Sequence, residues 1–82
     1  MEDWRLNGQE AYLLGAKFKK TRFEAEGYYD HVHCAFCWGK ISEYDGDLHV
    51  GYCTKGEIHW VCEKCYNDFK DMFHFELDPS LI

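Results

Sequence analysis

Cys34-Ala35-Phe36-Cys37 and Cys62-Glu63-Lys64-Cys65 are two C-x-x-C pairs with 24 residues between the inner cysteines. Two intervening residues let a tight turn aim both sulfurs at one point, so two such turns supply the four thiolates of a tetrahedral metal site. The spacing predicts a closed centre of Cys34, Cys37, Cys62 and Cys65, joined by a loop that a hairpin can span. Zn2+ is the expected ion. Iron competes, because four thiolates suit both metals and spacing does not separate them. A disulfide framework would need an oxidising compartment, whereas Met1-Glu2-Asp3-Trp4-Arg5-Leu6 is polar and lacks the apolar segment of a signal peptide. Reduced thiols and a cytoplasmic location are therefore expected. A dithiol redox pair fits less well, since neither pair lies in a βαβ pattern and there are two of them.

Downstream of the second pair the hydrophobic period is helical. Cys62, Cys65, Tyr66, Phe69, Met72, Phe73 and Glu76 recur at spacings of three and four, with Glu63, Lys64, Asn67, Asp68, Lys70 and Asp71 on the other side. This predicts an amphipathic helix from about Glu63 to Phe75, stopped by Asp78-Pro79. Its first turn holds Cys65, where free N–H groups and the positive end of the helix dipole favour a thiolate. Upstream, Leu48-His49-Val50-Gly51-Tyr52-Cys53 and Glu57-Ile58-His59-Trp60-Val61-Cys62 are short β-rich runs around Thr54-Lys55-Gly56, the pattern of a hairpin. Ser42-Glu43-Tyr44-Asp45-Gly46-Asp47 before them is a turn cluster.

Around the first pair, Trp38-Gly39-Lys40 follows the second cysteine as in a knuckle, whose residues turn back and donate backbone N–H groups to sulfur. Gly39 is expected at the bend. His31 and His33 stand close enough to replace a thiolate or to form a weak second site together. With four cysteines present, they are expected beside the metal or at the surface. Cys53 is the fifth cysteine and is expected to be a small buried thiol, its other readings being a replacement ligand or a redox-active group.

Before the knuckle, residues 24–30, with Gly27 and two tyrosines, read as a connecting loop. Tyr12, Leu14, Ala16 and Phe18 alternate with positions that become polar at Lys17 and Lys19, predicting a strand, although a helix over residues 9–20 is the alternative. Lys17, Lys19, Lys20 and Arg22, with Phe18 and Phe23 between, form the basic patch of the chain. It is expected to be a solvated strand edge guarded by charge.

Eighty-two residues make one domain, 1–82, too small to be comfortable without a staple such as a metal. Within it, residues 1–30 are an N-terminal strand extension and 31–76 the knuckle, hairpin and helix. The fold class expected is α+β: a small zinc-stabilised domain of short antiparallel strands and a hairpin with one C-terminal helix. No apolar run reaches the length of a membrane span. The formal charge is −6, unevenly placed: residues 1–22 hold five basic and three acidic side chains, and the remainder four basic and twelve acidic. Four thiolates on one Zn2+ would add a further −2. Such a field disfavours general binding to a phosphate backbone.

A knuckle, a hairpin, and a helix carrying the second pair in its first turn resemble treble-clef zinc fingers. The resemblance covers residues 34 to about 75 and rests on Cys34, Cys37, Trp38 and Trp60-Val61-Cys62-Glu63-Lys64-Cys65-Tyr66. His33-Cys34-Ala35-Phe36-Cys37-Trp38 is also similar to small bacterial proteins of unassigned function that carry paired C-x-x-C motifs. The fold class hosts many tasks and implies none. A closed four-thiolate site, and the lack of a His-Glu-x-x-His or deaminase-type motif, argue against an enzyme. High aromatic content favours a protein-binding module, a small adaptor or inhibitor whose acidic helix face, Asp68 and Asp71 included, steers a basic partner. The alternative is a nucleic-acid-binding finger using the 17–22 patch, with Phe18 or Phe23 as stacking groups.

Overall fold

The computed structural model describes residues 3–25, 30–78 and 80, and within them the chain is a small α+β fold with one main helix and a cysteine cluster. In chain order come a one-turn helix α1 (Glu10–Leu13), β1 (Lys17–Arg22), β2 (His31–His33), β3 (Lys40–Ser42) and β4 (Val50–Cys53). A 3-10 turn (Lys55–Glu57), β5 (Trp60–Cys62), helix α2 (Glu63–Phe69) and β6 (Glu76–Leu77) follow. The β4 and β5 strands form the expected hairpin, antiparallel with Tyr52 opposite Val61. Alongside β4 runs β1, antiparallel, and β6 is parallel to β1, so the sheet order is β5-β4-β1-β6. A separate antiparallel ribbon of β2 and β3 carries the first cysteine pair between its strands.

Alternation along the hairpin sends neighbouring side chains to opposite faces, and each face packs a different layer. Tyr52 stacks on Tyr66 of α2 with ring centroids 3.7 Å apart. Phe18, Phe36, Val61, Phe69 and Phe73 complete the buried cluster on that side, together with Cys34, Cys62 and Cys65. Phe36 lies stacked on Phe69 at 4.6 Å, which locks the knuckle against the helix. Cys53 and Trp60 belong to the other cluster, with Phe23 and the ribbon residues Val32 and Ile41. Gly51 is needed there, because a Cβ would stand 3.0 Å from the Val61 carbonyl oxygen and 3.2 Å from Ile41.

Three local expectations change. Where the sequence predicts a strand from residue 12, residues 10–13 instead turn once as α1, and Gly15 at φ 72 breaks the turn before β1 begins at Lys17. Tyr12 and Leu14 consequently face solvent, and Leu13 and Phe18 enter the core. The basic strand β1 is an edge only in part: β4 pairs with it over Lys19–Arg22 and the two-residue β6 covers its other side at Lys17 and Phe18, so the charged stretch beyond Phe18 keeps one open edge. Finally, α2 ends at Phe69, and one further turn of backbone bonds, Lys70 N–H to Tyr66 and Phe73 N–H to Phe69, carries the chain on. His74 at φ 55 then takes the left-handed position usually given to glycine. Phe75 N–H to the Lys70 carbonyl at 2.9 Å and His74 N–H to that of Asp71 at 3.4 Å close the cap. The stop therefore precedes Asp78, and it sends Phe75 back over the core and the next two residues into β6. Pro79 lies outside the described residues, as do 26–29 of the connecting loop. Among the described residues, no helix is long and apolar enough to cross a membrane.

Candidate metal centre

The knuckle is a tight turn built on the ribbon. Trp38 N–H donates to the Cys34 carbonyl at 3.0 Å and Cys34 N–H to that of Gly39 at 2.9 Å, while Ala35 N–H to Trp60 at 2.8 Å ties the turn to β5. Trp38, at φ 63, makes the left-handed step that the sequence assigns to Gly39. Gly39 serves close approach instead: a Cβ there would lie 3.3 Å from Cys37 Sγ and 3.4 Å from Leu48. Its N–H donates to Cys37 Sγ at 3.4 Å, and that of Phe36 donates to Cys34 Sγ at 3.4 Å. At the second pair Cys62 ends β5 and caps α2, its Sγ accepting from Cys65 N–H at 3.5 Å. A sulfur thus stands where a serine or aspartate oxygen commonly caps a helix, at the end whose dipole favours negative charge.

The Sγ atoms of Cys34, Cys37, Cys62 and Cys65 all lie within 4.8 Å of one another, with Cys37 and Cys62 at 3.7 Å. Sulfurs about 2.3 Å from a tetrahedral ion stand about 3.8 Å apart, so a small contraction closes the quartet on a metal. Cys34, Cys62 and Cys65 are buried and Cys37 is half-buried. Such a set can hold a metal ion, zinc being its usual occupant, and fills all four positions with sulfur as structural centres do.

The thiols are strongly differentiated as protons. The neighbouring Cys62 thiol, by hydrogen bonding, draws Cys34 down. The same bond, with burial, pushes Cys62 up. Burial raises Cys65 to about 11, against a lowering contribution from Arg5. A cation at the centre would replace those protons, which makes metal affinity fall with acid.

Sequence reasoning misses two residues here. Arg5 Nη1 lies 3.4 Å from Cys65 Sγ and 2.9 Å from Asp68. Its Nε and Nη2 grip Asp3 at 2.9 and 2.6 Å, and its guanidinium covers the Phe69 ring at 4.4 Å. Gln9 is buried and its amide donates to the carbonyls of Arg5 at 2.7 Å and Ala35 at 3.1 Å. No local pattern marks either one, and the surplus of basic residues in the first 22 was the one available signal.

The other candidates stay apart from the quartet. His31 Nδ1 pairs with Asp30 at 2.6 Å and His33 Nδ1 with the Trp38 carbonyl oxygen at 3.0 Å, and neither joins the metal-binding group among the described residues. Cys53 is fully buried, and that burial pushes its thiol up to about 11. Asp68 is not free on the helix face as the sequence suggests, since Arg5 and Lys64 both hold it. No family model matches the chain, and comparisons with curated proteins and with solved structures find no match.

Proposed function

We propose that the chain is a treble-clef-type domain whose Zn2+ is structural, and that it works as a small adaptor or inhibitor by binding a basic protein. The knuckle, hairpin and helix follow one another in the order of that fold, with Cys62 and Cys65 at the helix start. In this reading the ion does no chemistry. It fixes the orientation of a surface.

The observation that carries the reading is Trp38. It is 67% exposed although it sits between Cys37 and Gly39 in the knuckle, where the metal would hold its backbone. A strip of touching groups runs from it across the outer side of the ribbon: Trp38 to His33 at 6.3 Å, His33 to His31 at 4.9 Å, His31 to Asp30, and Asp30 to the Tyr44 hydroxyl at 3.1 Å. Tyr44 and Leu48 are about half exposed, and Glu43 and Asp45 beside them are exposed carboxylates. Exposed aromatic anchors within an acidic rim suit a partner that offers an apolar contact and positive charge. The nucleic-acid alternative is weakened because Phe18 and Phe23 are buried and Lys20 pairs with Glu63 at 3.2 Å.

Capture from host extract with the wild-type chain and with the double variant Trp38→Ser, Leu48→Ser tests this. A basic protein retained by the first and lost by the second, with metal content equal in both, is the expected result. Recovery of nucleic acid alone, abolished by neutralising Lys17, Lys19, Lys20 and Arg22, would overturn it.

A further inference from the structure

Each sulfur of the quartet accepts an N–H hydrogen bond, and three of the donors are local backbone groups: Phe36 for Cys34, Gly39 for Cys37 and Cys65 for Cys62. The fourth differs. Cys65 lies inside the first turn of α2, and its donor is Nη1 of Arg5, sixty positions away in sequence. We propose that Arg5 is a positioning residue of the metal centre, holding the Cys65 sulfur and thereby making metal retention depend on residues 3–9. The proposal rests on the reading of the quartet as a zinc site.

The fork is itself fixed on every side. Asp3 receives Nε and Nη2, Asp68 shares Nη1, and the planar face lies over Phe69, leaving the side chain 14% exposed. Only a guanidinium offers that many donors in one plane together with an apolar face; a lysine would supply a point charge without the geometry. Because Asp3 and Asp68 balance Arg5 and Lys64, the cluster brings the centre a directed N–H and not net charge. Groups that hydrogen-bond to ligands tune metal affinity without touching the ion.

The same segment also reaches the other cysteine pair. Gln9 bonds Ala35 inside the knuckle and the Arg5 carbonyl, and its Oε1 accepts from Asn7 N–H at 2.6 Å. Residues 3–9 therefore bridge the knuckle and the helix, the two elements the metal would join. Asp3, Trp4 and Arg5 also line, with Lys64, a cavity of about 320 Å³ reaching Cys37, Cys62 and Cys65. The segment accordingly borders the solvent side of the quartet.

The test compares wild type, Arg5→Met and Arg5→Lys, all zinc-loaded. Competition with a chromophoric chelator should show affinity weakened by about 10- to 100-fold in Arg5→Met, with partial recovery in Arg5→Lys. Pulse alkylation with iodoacetamide, in which a thiolate forms the new C–S bond and iodide leaves, reads the sulfurs one by one. In wild type the half-buried Cys37 should label before Cys65; in Arg5→Met the Cys65 rate should rise to match or pass it. Unchanged affinity, or weakened affinity with an unchanged labelling order, overturns the proposal, the latter because a merely structural role loosens all sulfurs together. If Arg5→Met does not fold, Asp3→Asn, which frees one side of the fork, should shift the order in the same direction, and no shift there overturns the proposal equally. A wild-type chain that takes up no metal after thiol reduction refutes the zinc reading itself, whereas zinc uptake with an indifferent Arg5→Met refutes only the role of Arg5.

Discussion

Two buried clusters lie on opposite faces of the hairpin, and each contains cysteine. On one face Cys34, Cys62 and Cys65 sit among Phe36, Tyr66 and Phe69; on the other Cys53 sits among Phe23, Ile41 and Trp60. Cys34 and Cys53 are both fully buried, yet sulfur and N–H neighbours draw the Cys34 thiol down while burial pushes Cys53 up to about 11. Burial alone therefore does not decide what a thiol does. Cys34 faces Cys62 and a backbone N–H that favour its thiolate, whereas Cys53 faces hydrocarbon that penalises any charge.

The sharpest break of this contrast is serine replacement at each position in turn. A change at Cys34, Cys37, Cys62 or Cys65 is expected to abolish metal retention and, with it, much of the fold, since structural zinc contributes on the order of 10 kcal/mol or more to small domains. Cys53→Ser should keep the metal and lose about 1–3 kcal/mol, the effect of burying a hydroxyl in place of a thiol. Thermal melts with metal analysis read both. A Cys53→Ser protein that loses its zinc would merge the two classes.

Next in size is packing on the face that carries the cysteine quartet. Phe36→Ala removes the ring stacked on Phe69 and should destabilise by about 3–5 kcal/mol in urea melts. A loss below about 1 kcal/mol would mean the knuckle is held by the sulfurs without its aromatic contact.

Cys53 also gives a pH signature. Its folded value of about 11 lies above its ordinary 9.0, so the unfolded chain releases the proton first and the folded state is disfavoured as pH rises between those values. Stability from this group should thus be full below pH 9 and decline toward pH 11, a decline absent in Cys53→Ala. Equal alkaline sensitivity in both would contradict the assignment.

The smallest effect expected is a gain. His74→Gly relieves a left-handed non-glycine residue at the cap after α2 and should stabilise by about 1 kcal/mol by thermal melt.

How much of this is legible in sequence follows from distance along the chain. Each cysteine pair, the hairpin and the start of α2 depend on neighbours within a few residues, so spacing and period expose them, and the doubling of the C-x-x-C motif is what joins the two distant pairs into one quartet. Arg5 on Cys65, Gln9 on Ala35 and β6 beside β1 join residues far apart, so no local pattern announces them. The end of the helix is misplaced because His74 does what a glycine would normally signal, and the knuckle bend because Trp38 does so. Residues 12–16 mislead because alternation suggests a strand already there, while Gly15 at φ 72 ends a single helical turn and the strand begins only at Lys17.

The central claim is that Cys34, Cys37, Cys62 and Cys65 together hold one structural zinc ion. Elemental analysis of the purified chain before and after prolonged exposure to EDTA, followed in the same samples by amide chemical-shift dispersion, tests it most directly. One zinc per chain is expected, with dispersion collapsing as the zinc is withdrawn. Iron in its place, no metal at all, or full dispersion after the zinc has gone would contradict it.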